Sequence, residues 1–273
     1  MRIAAGILLA LSAFAQTQFE VASIKPSPPA PATGRIRTGS SGGPGTRDPG
    51  LFTCERCSVF GLIRQAFNIF QDYQISGPDW MQSTRFNISA KVAEGATRAE
   101  FRLMLRNLLI ERLKLEFHRE KKEMQAYELV IAKNGPKLKE SAGPLDPDER
   151  PGRIVGERKV DPDGFVVLPP GRVPMEMMMS GGRTTERHAE ETIEEFAQDV
   201  ASKVGRPVTD ATGLKGKYDF TLRWLGEGGG PSDDNGPNIF RALQEQLGLK
   251  LESKKAMIDA LVVDHIEKTP TEN

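Results

Sequence analysis

Two cysteines separated by two residues form the most reactive pair in the sequence. Cys54 and Cys57 lie in the stretch CERC, directly before a segment with helical periodicity. Thiol–disulfide enzymes place such a pair at a helix N-terminus because the helix dipole stabilises a thiolate. The same spacing also suits a local structural disulfide, and C-x-x-C alone does not separate the two uses. Cys54 and Cys57 are therefore predicted as a candidate disulfide, with redox catalysis as an open alternative.

No other group of residues predicts a catalytic site or a metal site. Histidine occurs only as His118, His188 and His265, and the zinc-peptidase pattern H-E-x-x-H is absent. A structural zinc site uses four ligands, and the chain has no further cysteine to supply them. In the second half of the chain, TTERHAEE stands where CERC stands in the first, so the fold does not require the cysteines. We therefore predict no catalytic residue, no metal ligand and no cofactor.

The N-terminus has the pattern of a secretory signal peptide. Arg2 is followed by an apolar run from residue 3 to 11, and Ala13, Phe14 and Ala15 fit the small-x-small cleavage rule. The apolar run is too short for a membrane-spanning helix. We predict a signal peptide over residues 1–15 and export to the periplasm or outside the cell, with no later membrane span. In an oxidising compartment two thiols this close end as a disulfide.

Composition limits the classes of partner. The chain has 273 residues, of which 38% are hydrophobic and 27% charged, which is enough for a folded core. Lys+Arg and Asp+Glu balance at 37 each. Nucleic-acid binding normally needs a basic surface, so the neutral total predicts no nucleic-acid partner.

The first half of the chain predicts alternating strands and helices. FEVASIKPS reads as a strand, and residues 26–50 form a Pro/Gly-rich loop. Ser58 is a plausible N-cap for the next helix, and RFNISAKV alternates as a half-buried strand. Thr97 and Glu100 form a capping box before the strongest helix. KLEFHRE and MQAYELVIAK then predict a hairpin that turns near residues 121–122.

The second half repeats this order after a Pro/Gly/charge-rich linker over residues 141–182. ETIEEFAQDVASKVG predicts a helix ending at Gly205, and KYDFTLRW predicts a strand. NIFRALQEQLG predicts a second helix running into LKLE, and MIDALVVDHIEK the last strand. KYDFTLRW matches RFNISAKV, and LKLE occurs in both halves.

These matches predict an internal duplication in an α+β fold. The two tandem units, over residues 16–140 and 183–268, each have the order helix-strand-helix-strand-strand. They are predicted to pack as a pseudo-dimer, and residues 269–273 form a C-terminal tail. The alternative is that two unrelated α+β units resemble each other.

Several long segments together carry a resemblance to one known family. FEVASIKPS, QISGPDWMQSTRFNISAKV, RPVTDATGLKGKYDFTLRW and the C-terminal LQEQLGLKLESKKAMIDALVVDHIEKTPTEN lie across nearly the whole mature chain. The chain resembles a soil-associated, Acidobacteria-enriched family of exported proteins that is classified as a domain of unknown function. The resemblance implies no established activity, catalytic residue or ligand. In some members of the family that the chain resembles, the domain is fused to a membrane-bound peptidase sensor of the antibiotic-sensing type, which implies a sensing or interaction role.

The sequence therefore favours an exported, non-enzymatic binding or sensing module that acts in the cell envelope. Its partner would be an envelope protein or a cell-wall component. Two enzymatic alternatives stay open: a thiol–disulfide redox protein using Cys54 and Cys57, and an unrecognised hydrolase with a cleft between the two units. The oligomeric state does not follow from the sequence.

Overall fold

The chain folds into two compact units, one of which is discontinuous in sequence. The computed structural model describes residues 17–29, 36–146, 159–226 and 236–271. Unit one consists of Met1–Lys122 with Asp259–Asn273, and unit two is Glu123–Ile258. The predicted signal peptide lies outside the described residues.

The first part of the chain forms an antiparallel sheet, two helices and the start of a long strand. In chain order the elements are β1 (Val21–Pro26), β2 (Gly39–Gly42), β3 (Leu51–Ser58), α1 (Val59–Phe67), β4 (Ile75–Ser76), β5 (Arg85–Lys91), α2 (Arg98–Leu113) and β6 (Glu116–Ile131). Single 3-10 turns lie at Asp72–Gln74 and Asp79–Gln82.

The second part adds another antiparallel sheet with its own helices and a second long strand. The elements are β7 (Lys139–Glu140), β8 (Met175–Ser180), β9 (Arg183–Thr192), α3 (Ile193–Val204), β10 (Val208–Asp210), β11 (Lys217–Leu225), α4 (Ile239–Ala242) and β12 (Leu249–His265). A π-helical turn, Leu243–Leu247, continues α4. The division between the units falls inside β6 and β12, so each of these strands contributes residues to both.

The sheet of unit one and the sheet of unit two have the same strand order. Unit one has β1-β5-β3-β2 and unit two has β7-β11-β9-β8, and every neighbouring pair is antiparallel. In each sheet the strand that comes first in the chain lies at one edge and pairs with the strand that comes last. In each, the third strand leads directly into a helix.

Short polar side chains fix where the helices begin, as the sequence predicts. The Ser58 hydroxyl accepts the N–H of Gly61 at 3.0 Å at the start of α1. Thr97 and Glu100 form the predicted capping box of α2. Thr192 and Glu195 form a second capping box at α3, which ends at Gly205 in the left-handed conformation. These contacts satisfy backbone N–H groups that have no partner inside the helix.

Alternating apolar residues build the core of each unit. In β5 the side chains of Phe86, Ile88 and Ala90 are buried, and in β11 every second side chain is buried as well. The buried residues of β11 are Tyr218, Phe220, Leu222 and Trp224. The α+β class is thereby confirmed. Within the described residues, no helix is both long and apolar enough to cross a membrane.

The predicted hairpin near residues 121–122 was wrong. The structure continues one strand, β6, through the charged run 119–123, and β12 is likewise continuous where two segments were predicted. Turn residues such as Gly, Asn or Pro are absent from that run. Its charged side chains are exposed and can pair across strands, as Lys255 does with Glu123 at 2.8 Å. The predicted loop over residues 26–50 contains strand β2, and the predicted linker over residues 141–182 contains strand β8.

Candidate binding groove and buried charge cluster

Strand β3 has a bulge immediately before α1, and the two cysteines flank it. The register against β5 shifts between Cys54 and Cys57, so β3 accommodates one extra residue there. Arg56 within the bulge has φ 52°, and its backbone N–H donates to Asn87 Oδ1 at 2.8 Å. The Cα atoms of the cysteines are 5.9 Å apart and their sulfurs lie at disulfide-bonding distance. The cysteine pair therefore closes the bulge.

Strand β9 has the matching bulge before α3, and here the flanking residues are ionisable. The register against β11 shifts at the same place. Glu190 has φ 61°, and its N–H donates to Asp219 Oδ1 at 3.0 Å. At the flanking positions, where unit one has cysteines, unit two has His188 and Glu191, with Nδ1 and Oε2 3.6 Å apart. An ion pair thus takes the place of the sulfur pair.

His188 belongs to a buried charge cluster, which we define as Glu186, His188, Glu191, Asp199 and Lys203. His188 Nε2 lies 3.4 Å from Glu186 Oε1 and 3.9 Å from Asp199 Oδ2. Lys203 Nζ lies 3.2 Å from Glu186 Oε2 and contacts Asp199 Oδ2 more closely. Glu186 is 0% exposed and His188 2% exposed. Strand β9 supplies three of these side chains, and helix α3 supplies two that are partly exposed.

Burial and charge oppose each other in this cluster. Burial disfavours the charged imidazolium of His188, but hydrogen bonding and charge from Glu186 and Glu191 outweigh it and raise the pKa of His188 to about 9. Burial would also raise the pKa of Glu186, yet His188 and Lys203 hold it below the ordinary value. For Asp199, burial prevails over the nearby Lys203 charge and its pKa is raised.

Aromatic rings pack against His188 and Lys203. The His188 ring stacks on Phe220, with centroids 4.8 Å apart and planes at 19°, and meets the Phe196 ring edge-on at 5.4 Å. Lys203 Nζ lies 5.5 Å from the centroid of Trp224. The apolar surroundings lower the local dielectric, so charges in the cluster interact strongly.

Unit one has an open groove along the exposed face of α1. Two adjoining cavities of about 550 and 330 Å³ share Ser40, Gly61 and Gln65 in their linings, and we treat them together as one groove. We call this surface the arginine groove, because five arginines and, among the described residues, no carboxylate side chain line it. The arginines are Arg56, Arg64, Arg85, Arg98 and Arg102.

A glycine-rich loop brings one wall of the groove close to α2. Gly45 has φ 82°, and a Cβ there would lie 2.8 Å from Arg98 Nη2. Gly43 has φ 83° and packs its backbone against the Phe101 ring. Glycine permits both the left-handed backbone and this close approach. The Arg98 guanidinium therefore lies directly against the loop.

Most of the groove arginines have no acidic partner among the described residues. Arg64 forms an ion pair with Asp72 at 3.0 Å. Arg102 Nη1 donates to the Asn68 amide oxygen at 2.7 Å, a neutral acceptor. In the part of the chain that the structure describes, Arg98 makes no ion pair. The groove consequently has uncompensated positive charge, with Phe101 in its lining.

One formal motif in the groove wall has no catalytic geometry. Residues 39–43, GSSGG, match the hydrolase pattern G-x-S-x-G. A nucleophile elbow places its serine on a sharp turn between a strand and a helix. Ser41 instead lies within β2, and its Oγ is 2.8 Å from Thr53 Oγ1 of the neighbouring strand. It therefore does not have the position of a serine nucleophile.

The family of the chain follows from its sequence match. Residues 61–266 match the family described as Protein of unknown function (DUF3738). The chain belongs to this family. No curated protein and no solved structure matches the chain. The matched part of this DUF3738 chain contains the whole buried charge cluster, and it begins after Cys57.

Sequence reasoning about this DUF3738 chain found the cysteine pair and missed the other two features. The cluster had a detectable signal, since Glu186 and His188 alternate with period two on one strand face before a capped helix. The arginine groove had none, because its arginines come from four separate segments. Only folding brings them to one surface.

Proposed function

We propose that the protein is an exported, non-enzymatic binding module whose arginine groove recognises acidic groups on an envelope protein or a cell-wall component. The observation that carries this proposal is the groove itself. Arginine binds carboxylate and phosphate groups with two parallel hydrogen bonds, and it is favoured where such groups are recognised. Phe101 offers an apolar contact beside these donors, as binding sites commonly do.

Export is the second part of the proposal. The predicted signal peptide supports it, as does the Cys54–Cys57 pair, because disulfides persist in oxidising compartments. Location in the periplasm or outside the cell and the association with soil and Acidobacteria stay predictions.

We also infer that the two units arose by internal duplication, as the sequence predicts. Three observations support this: the common strand order of the two sheets, the bulge before the helix in each, and the side chain of Asn87 or Asp219 that accepts the bulge N–H. If the units are copies, differences at matching positions mark where each acquired its own role. The arginine groove and the buried charge cluster are two such differences.

The test is crosslinking of the tagged mature protein in its native cell envelope, followed by mass spectrometry. We expect a reproducible, saturable partner that is lost when Arg98 and Arg102 are both replaced by Glu. A hydrogen bond to a charged group contributes about 1.5–3 kcal/mol, so losing even one should reduce capture about tenfold or more.

The control is Arg119→Glu, which reverses an exposed charge on β6 outside the groove. It should leave capture unchanged. Equal loss in both variants would indicate a nonspecific charge effect, and capture that persists in the groove variant would contradict the proposed site.

Thiol–disulfide exchange is the second candidate function, because half-buried Cys57 lines the groove at the start of α1. Its partner Cys54 is only 2% exposed. A Cys57→Ala variant distinguishes the two functions: binding should persist in it if the groove acts alone. Rapid reduction of the pair by a mild dithiol, with turnover of a disulfide substrate, would instead favour the redox function. The hydrolase hypothesis stays a prediction.

A further inference from the structure

The buried charge cluster has the geometry of a metal site. One ligand atom from each of Glu186, His188 and Asp199 lies within 4.8 Å of the other two. In a tetrahedral zinc site with bonds of about 2.0–2.1 Å, neighbouring ligand atoms are about 3.3–3.5 Å apart. The two measured distances from His188 Nε2, 3.4 and 3.9 Å, need only a small inward shift to reach that spacing.

Several polar atoms of the cluster are buried without ordinary hydrogen bonds, although Glu186 Oε1 and Asp199 Oδ2 accept from Lys203. Both ring nitrogens of His188 and the Oε2 atom of Glu186 are buried without a hydrogen-bond partner of normal geometry. The two residues are at least 98% buried. Buried polar atoms in proteins are nearly always paired, and an ion is one of the groups that accounts for an exception.

The matching positions of unit one show that the fold itself does not require these charges. Aligned on the bulge and on the helix N-caps, Glu186 corresponds to Phe52, His188 to Cys54 and Asp199 to Gln65. Unit one fills those positions with neutral side chains, and Phe52 is 1% exposed. A sheet of the same strand order therefore forms in unit one without the ionisable groups that unit two buries.

The surroundings of the three residues also suit a metal. Glu191 Oε2 lies 3.6 Å from His188 Nδ1, on the opposite side of the ring from Glu186. Metal-binding histidines typically donate their second N–H to a carboxylate, and a small movement of Glu191 toward Nδ1 would form that hydrogen bond. The three carboxylates and the Lys203 ammonium together leave two negative charges, which a divalent cation with a neutral His188 balances.

We propose that Glu186, His188 and Asp199 form a binding site for a divalent transition metal, with zinc the best match to the nitrogen and oxygen donors. Glu191 orients His188, and Lys203 contacts the two ligating carboxylates. The metal would bridge strand β9 and helix α3. This proposal does not depend on the function of the arginine groove.

The test is titration of chelator-treated full-length protein with Co²⁺, followed by displacement with Zn²⁺. We expect one equivalent of Co²⁺ to produce the intense visible absorption of a four-coordinate site, and Zn²⁺ to abolish it. Asp199 is 28% exposed, so Asp199→Asn should keep the fold and lose the signal. His188→Gln should lose it too. Glu191→Gln should weaken affinity about 10–100-fold, the usual effect of losing an orienting carboxylate.

His118→Gln is the matched control, because it removes an exposed histidine on β6 of unit one. It should retain wild-type metal affinity. Circular dichroism on every variant separates lost binding from lost folding. The proposal is overturned if the wild type binds no more tightly than Asp199→Asn, or if binding depends on His118 instead. In the first case Lys203 and a protonated His188 are the permanent counterions of the carboxylates.

Discussion

At the scale of single residues, Asn87 and Asp219 have the same structural role but differ in charge. Each accepts the backbone N–H of the extra residue in a strand bulge. Asp219 additionally accepts from Arg172, whose Nε lies 2.8 Å from Oδ2. Burial alone would raise the pKa of Asp219, but the hydrogen bonds from Arg172 and from the Glu190 N–H outweigh it and lower the pKa.

We predict that Asp219→Asn lowers the free energy of unfolding by about 1.5–3 kcal/mol at neutral pH, the range for a hydrogen bond to a charged group. Because the pKa is lowered by folding, the stabilisation is complete above the unfolded value of about 3.9 and is lost as the pH falls through the folded value. Urea unfolding from pH 7 to pH 3 measures this. The two proteins should converge in acid, and a difference that stays constant with pH would contradict the argument.

His118 provides a second prediction, on the exposed side of β6. Its Nδ1 lies 2.9 Å from both carboxylate oxygens of Asp264 on β12. The hydrogen bond that the His118 ring donates to Asp264 raises the pKa of His118, with smaller contributions from the charges of Asp264 and Glu120. Any stability gained is therefore present at acidic pH and is lost as the pH rises through the folded pKa.

An NMR titration of the histidine ring protons measures this pKa directly. We expect a value above 6.5 for His118 in the wild type and a lower value in Asp264→Asn. An unchanged His118 pKa in the variant would show that the pair does not form in solution.

At the scale of elements, the recurring structure is a bulged strand followed at once by a capped helix. Unit one closes the bulge of β3 with Cys54 and Cys57, and unit two closes that of β9 with His188 and Glu191. The short closed segment between the cysteines limits how much a covalent link can stabilise. In the chain-entropy description, a loop of about four residues gives about 2 kcal/mol.

We therefore predict that the Cys54→Ala, Cys57→Ala double variant loses about 2 kcal/mol of unfolding free energy and keeps its secondary structure. The bulge should survive, because unit two forms the same bulge without sulfur. Denaturant unfolding of the oxidised protein, the reduced protein and the double variant tests this. Reduction should have no effect on the double variant. Complete unfolding on reduction would mean that the disulfide stabilises far more of the structure than the bulge alone.

The helices of this chain could be predicted from sequence because their signals are local. Ser58, Thr97 and Thr192 each bond to a backbone N–H within three residues, so the sequence contains the whole determinant of where the helix starts. The alternation in β5 and β11 is local too. The length of β6 is not, because its exposed charged run is held in a strand by pairing with residues far away in the chain.

The LKLE match shows that a short identical sequence can give a wrong alignment of the two units. Lys114 and Gly248 are the left-handed residues that end the two corresponding helical segments. Aligned on them, Leu115 corresponds to Leu249, so the two LKLE stretches are two positions out of register. What corresponds is a leucine, a left-handed residue and another leucine. The side-chain environment, rather than the shared letters, carries the similarity.

At the scale of the whole molecule, the chain leaves unit one at residue 122 and returns to it at residue 259. The returning segment is not a tail, because Leu261, Val263 and Ile266 are buried in the core of unit one. Leu261 also pairs with Ile75 in a parallel ladder. Sequence periodicity follows chain order and assigns residues 183–268 to one unit, so it could not anticipate this contribution. The arginine groove escaped prediction for the same reason, since its arginines come from four separate segments. The buried charge cluster lies within residues 186–203, so its signal was local and was missed.

Ending the chain at residue 258 should therefore unfold unit one, although more than a hundred of its residues remain. Removing a large buried aliphatic side chain costs about 2–5 kcal/mol, and three are lost where a typical domain has only about 5–15 kcal/mol in total. Ending the chain at residue 268 keeps all three and removes only the short C-terminal segment. Limited proteolysis, with the cleavage sites mapped, compares the two variants. We expect rapid cleavage within α2 in the shorter variant and wild-type resistance in the longer one, since an opened core exposes that helix to protease. Equal resistance of α2 in both would mean that the residues from 259 onward pack on unit one without stabilising it.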